Sequence, residues 1–191
     1  LGMYLPGNGD DVASGVTVNS FDDVVVCGTT SSTSGIRGEN NLNTEYKGDT
    51  DGFIYVVNHS LMYADLFTLL GGTGTDSFAR VAIDKYNAIA VCGTTTSLDF
   101  PTFPKKVDDG GDDGKGGGIE PAMMDQGKDC FGPEPYGGKS DALVARLSAA
   151  GELQFSGYFG GSGADEAVDL FSDADVGVYI VGRTKSPTLP F

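Results

Sequence analysis

Carboxylates set what this chain can do chemically. Among its 191 residues, 27 are Asp or Glu, 12 are Lys or Arg, and His59 is the one histidine, so histidine-based catalysis has a single candidate. Three groupings of acids stand out. Asp49-Thr50-Asp51-Gly52 opens like a calcium loop, but Phe53-Ile54-Tyr55 follows where more oxygen ligands and a late Glu are required. Asp108-Asp109-Gly110-Gly111-Asp112-Asp113-Gly114 places four carboxylates on a glycine-rich backbone, the composition of a solvated tract or of a cation-responsive loop. Asp11, Asp76 and Asp165 recur in one context, each after a Gly-rich turn and each 17 residues before a glycine, Gly28, Gly93 or Gly182.

A carboxylate after such a turn accepts backbone N–H groups and pins the chain crossing, so the recurrent Asp and Gly residues are expected to be structural anchors. One carboxylate per repeat is too few for calcium, which takes roughly six to eight oxygens. The candidate metal ligands are therefore Asp49, Asp51, Asp108, Asp109, Asp112 and Asp113, with calcium as the cation and no other cofactor expected. Twenty-seven acids make some glycosidase-like pair expected by chance, but none is singled out. Gly71-Gly72-Thr73-Gly74 lacks the Lys-Ser/Thr of a phosphate loop.

The elements that must position these residues are read from the repeat, because a feature in phase three times fixes architecture before any single residue is interpreted. Val16-Thr17-Val18 and the run Val24 to Cys27 flank a turn at Asn19 to Asp23, the pattern of a hairpin. Its counterparts are Val81-Ala82-Ile83 with Ile89 to Cys92, and Leu170-Phe171 with Val178 to Val181. Two more strands follow, Asp51 to Val57 matched by Asp141 to Leu147, and Tyr63 to Leu70 matched by Leu153 to Phe159. The fold class is thus all-β. Four-stranded antiparallel units at this spacing describe β-propeller blades.

The expected organisation is the end of a preceding strand at 1–5, a first blade at 6–70, a second at 71–159 with a Gly/Asp-rich insert at 105–139, and the first half of a third at 160–191. Two whole blades do not close a ring of roughly four to eight, so further blades or partner chains are expected to complete it.

Composition agrees. Gly reaches 30 residues, Trp is absent, and apolar residues are 39% of the chain, as in short strands joined by tight turns. A formal net charge of −15 repels nucleic acid and anionic lipid. No run approaches the roughly 18–20 apolar residues of a membrane helix. Cys27 and Cys92 share a repeat position that holds Val181 in the third copy, which marks a small buried apolar slot, while Cys130 lies in the insert. Asn58-His59-Ser60 is a glycosylation triplet in a turn.

The order Gly-Gly-x-Gly-x-Asp, apolar strand, turn, apolar strand ending in Gly-x-Thr, then Ser-x-x-Phe-Pro resembles the SBBP type of β-propeller repeat. Gly71 to Asp76 with Gly93 to Pro101 is the fullest copy, and Ser140 to Leu147 is similar to the family's third strand. The first copy departs, with Pro6 in place of the first Gly and no Phe-Pro pair after Ser31. The resemblance implies large secreted or surface-exposed repeat proteins and supplies no catalytic residues. The expected function is a non-catalytic scaffold for protein contacts in an extracellular or lumenal assembly. The alternatives are a carbohydrate- or calcium-binding module and, third, a hydrolase.

Overall fold

The computed structural model describes residues 4–5, 7–36, 38, 40–41, 43, 45–60, 63–102, 138–173 and 177–189. Among them the chain is all-β, without helix. The strands are β1 (Asp11–Val18), β2 (Val24–Thr30), β3 (Asn40–Asn41), β4 (Asp51–Val57), β5 (Ala64–Leu70), β6 (Asp76–Ile83), β7 (Ile89–Thr95), β8 (Asp141–Leu147), β9 (Leu153–Phe159), β10 (Asp165–Ser172) and β11 (Val178–Thr184). They form antiparallel sheets ordered β1-β2-β4-β5, β6-β7-β8-β9 and β10-β11, with the two-residue β3 added parallel to β5. Tyr4 and Leu5 belong to no strand, and the rest of segment 1–5 lies outside the described residues.

Register repeats from sheet to sheet. Asp11 faces Thr30, Asp76 faces Thr95 and Asp165 faces Thr184. On its other side Thr30 faces Asp51, and Thr95 faces Asp141. The first strand of every sheet carries a bulge, between Ala13 and Gly15, Phe78 and Arg80, and Ala167 and Asp169. The bulge explains the recurrent glycines. A Cβ at Gly28 would sit 2.0 Å from the Val12 carbonyl, at Gly93 1.9 Å from that of Ser77, and at Gly182 2.1 Å from that of Glu166. No side chain fits where the bulged strand turns its carbonyl inward.

The sheets stack through their apolar faces. Val25, Cys27, Ile54, Val56, Leu66 and Leu70 of the first meet Phe78, Ile89, Val91, Leu143, Ala145 and Leu147 of the second. Fully buried side chains such as Ile54, Phe78 and Leu143 contribute about 1.5–3 kcal/mol each. The second sheet turns a smaller face, Cys92 and Ala142, towards Ala167 and Leu170 of the third. Arg80 stitches all three at the bulges: its guanidinium donates to the Ser14 carbonyl at 3.0 Å and lies 3.5 Å from the Asp169 carboxylate.

Candidate functional site

The Gly-rich turns and first strands build one hydrogen-bonded latch three times over. In the second sheet the Ser97 hydroxyl donates to Asp76 Oδ2 at 2.6 Å, and the Gly72 N–H donates to the same oxygen at 2.7 Å. The Ser97 N–H donates to Thr95 Oγ1 at 2.9 Å, and the Gly74 N–H donates to Ser97 Oγ at 2.8 Å. The third sheet matches, with Ser186 donating to Asp165 Oδ2 at 2.6 Å and the Gly161 N–H at 2.8 Å. In the first, Thr30 donates to Asp11 Oδ1 at 2.5 Å and Ser32 to Asp11 Oδ2 at 3.0 Å.

Each anchoring carboxylate therefore ties the turn that enters a sheet to the segment that leaves its second strand. Ser and Asp in contact are also parts of a nucleophile, but Ser97 is buried with its proton committed to Asp76. Burial raises the Asp165 carboxyl, yet the Ser186 and Thr184 hydroxyls and the Gly161 and Lys185 N–H groups outweigh it and hold the group below the usual range.

The anchors were legible as a repeated Asp and Gly. The hydroxyl half has its own trace, since Gly-x-Thr-x-Ser recurs in phase at Gly28-Thr30-Ser32, Gly93-Thr95-Ser97 and Gly182-Thr184-Ser186, although the repeat alone does not say that these hydroxyls bond the Asp. A second repeated device lies at the far end of the strands. Asn19 Oδ1 accepts the N–H groups of Phe21 and Asp23, and Asp84 Oδ1 those of Tyr86 and Ala88. Asp173 Oδ1 accepts from Gly177. These caps allow left-handed Asp22 (φ 63°) and Asn87 (φ 60°) in matched turns, a conformation Asp and Asn tolerate. Asp84 also meets Arg146 at 2.5 Å, a nearly buried ion pair. Burial pushes the Asp84 carboxyl up, but the Arg146 guanidinium and the two N–H groups bring it below its usual range.

The candidate metal ligands separate. Asp108, Asp109, Asp112, Asp113 and Cys130 lie outside the described residues. Asp49 is exposed, and its N–H donates to the Gly74 carbonyl at 2.9 Å. Asp51, two residues on, is fully buried. Its Oδ2 accepts the Lys47 N–H at 2.9 Å. Burial, and then the neighbouring Asp76 charge, push the Asp51 carboxyl up to about 6 against the pull of that N–H.

Asp51 and Asp76 approach each other across the junction between the first and second sheets, with Gly71 between them. A Cβ on Gly71 would stand 2.1 Å from Asp51 Oδ1 and 3.0 Å from Asp76 Oδ2. Gly160 occupies the same place between Asp141 and Asp165, at 2.2 and 2.8 Å. No sequence signal joins these pairs, since their members belong to different sheets. Among the described residues no group of three or more His, Cys, Asp or Glu side chains converges as a metal centre.

His59 sits on the exposed β4–β5 turn, where its N–H donates to Asp23 Oδ1 at 2.9 Å. Cys27 and Cys92 are buried free thiols, pushed up to about 11 and about 12, chiefly by burial. No described helix is long and apolar enough to cross a membrane. No protein-family model and no curated protein matches this chain.

Proposed function

We propose that the chain is a non-catalytic scaffold, consecutive blades of an SBBP-type β-propeller that hold protein partners in an extracellular or lumenal assembly. The observation that carries this reading is one set of repeat positions in two environments. Ala90 and Cys92 of β7 are 0% exposed, as is Cys27 of β2, whereas Tyr179 and Val181 of β11 are 60% and 62% exposed. Phe171 beside them is 64% exposed, its ring 6.3 Å from that of Tyr179. A face of a kind that is buried twice inside the chain is a face built to receive another sheet.

Latch chemistry favours the same reading. The repeated buried carboxylates and the serine hydroxyls beside them bond one another inside the sheets, which favours surface over reactive groups as the chain's offering.

The test is the assembly state of the native protein, with amide exchange along β11. The scaffold reading expects a particle larger than the 19.8 kDa of this chain and slow exchange at Val178–Thr184. A 19.8 kDa monomer with rapid exchange at those amides would end it.

A carbohydrate-binding reading has its own support. Phe21 and Tyr86 occupy matched exposed turns, 64% and 61% exposed, beside a cleft lined by Asn19, Asp23 and Asn87. Binding on a glycan array that disappears in Phe21→Ala with Tyr86→Ala would favour it over the scaffold.

A further inference from the structure

We propose that the Asp51–Asp76 junction is a calcium site, with the two carboxylates as its charged ligands and the space opposite Gly71 as its cradle. Both side chains are 0% exposed, and Asp51 Oδ1 and Asp76 Oδ1 are buried without a hydrogen-bond donor. Buried polar atoms in folded proteins are almost always satisfied by protein, water or ions, so two orphaned oxygens in one junction call for a ligand.

The choice of a cation rests on how the other oxygens are held. Asp51 Oδ2 accepts the Lys47 N–H, and Asp76 Oδ2 accepts the Gly72 N–H and the Ser97 hydroxyl. With Oδ2 of each group so held, Oδ1 is left as a buried acceptor that no N–H or O–H reaches, and none of the ion pairs among the described residues reaches either carboxylate. Buried charges are tolerated when paired or bound to metal.

An all-oxygen donor set selects a hard cation. Calcium accepts flexible geometry at roughly 2.3–2.6 Å, whereas magnesium demands a near-ideal octahedron and keeps several waters. Two carboxylates supply two to four oxygens, and hydroxyl, carbonyl or water oxygens supply the remainder. Gly71 is then required for more than its turn, because a side chain there would fill the space in front of Asp51 Oδ1. The calcium loop expected at Asp49 to Gly52 contributes only its second Asp, and its partner comes from the next sheet.

The experiment is calorimetric titration of chelator-treated native protein with calcium chloride near neutral pH, beside Asp51→Asn. A calcium stoichiometry that falls by one in the variant is expected, as is a thermal midpoint raised by about 5–10 °C at a hundredfold excess over Kd and restored by chelator. Binding elsewhere, including on the acidic insert, would survive the substitution. Should Asp51→Asn fail to fold, amide exchange of the unaltered protein decides: calcium is expected to slow exchange selectively at 47–53 and 71–77. Unchanged stoichiometry in a folded Asp51→Asn, or no local slowing at millimolar calcium, would overturn the assignment.

Discussion

The second and third sheets begin with the same latch and then part company. Asp76 and Asp165 both accept a serine hydroxyl at 2.6 Å and a glycine N–H two residues past the previous sheet. Yet Thr95 and Ser97 are buried beneath β8, while Thr184 is exposed because no strand pairs with the outer edge of β11 among the described residues. Local sequence therefore makes the latch, but only a covering strand makes it costly to lose. Buried hydrogen bonds are expensive to leave half-made, whereas exposed ones are replaced by water.

Removing the carboxylate from each latch tests this with the largest expected effect. Asp76→Ala strands the Ser97 hydroxyl and the Gly72 N–H in a dry interior, at about 2–4 kcal/mol. Asp165→Ala is expected to cost about 1–2 kcal/mol, since water reaches Thr184 and part of Ser186. Urea unfolding midpoints read both, and equal losses would show that the covering strand is irrelevant.

Arg146 comes next. It reaches from β8 to Asp84 at the far end of the second sheet, a contact that has no counterpart in the two-stranded third sheet. Arg146→Ala leaves Asp84 buried and unpaired and is expected to cost about 2–3 kcal/mol. The loss should shrink as pH falls and Asp84 is protonated. Its carboxyl is held below its usual value in the folded chain, so the stability it contributes is present at neutral pH and disappears in acid.

Those two effects also mark what could be read beforehand. Strands were legible because apolar runs between Gly-rich turns recur in phase, so Asp51–Val57 and Asp141–Leu147 appear where the repeat placed them. Of their antiparallel neighbours only β5 and β9, which follow after short turns, are predicted by a short connection. The bulge was not legible, since it adds one residue without a turn signal, and its trace was the glycine across the strand. The Arg146–Asp84 pair spans 62 residues, and the Asp51–Asp76 junction depends on how two sheets stack, so neither had a local pattern to betray it. Asp49 and Asp51 looked like companions because they are neighbours in sequence, yet Asp49 lies exposed before β4 while Asp51, its first residue, is buried.

The Asp51 carboxyl gives an opposite pH dependence in calcium-free buffer. Its folded value of about 6 lies above the ordinary 3.8, so the folded chain binds the extra proton. Stability from this group is full below about pH 4 and declines as pH rises through about 6, by about 3 kcal/mol. Asp51→Asn should flatten that limb of the profile and leave the acid limb set by Asp84 intact. A wild-type profile that rises throughout pH 4–7, with no change in the variant, would contradict the buried, Asp76-facing placement.

The smallest effects isolate the shared repeat position itself. Cys92→Ser puts a hydroxyl into a slot with no exposure, between the second sheet and Ala167, and is expected to cost about 1–2 kcal/mol. Val181→Ser makes a similar polar change at the matched position of β11, where the side chain already meets water, and should cost less than about 0.5 kcal/mol in this chain alone. The comparison turns around in a native assembly that covers β11. There Val181→Ser should approach the Cys92→Ser penalty, because the valine would then be leaving a packed interface. Parallel melts of the isolated chain and of the assembly measure the difference. A Val181→Ser penalty that stays small in both would mean that this face packs against nothing, and that its resemblance to the inner faces of β2 and β7 is geometric alone.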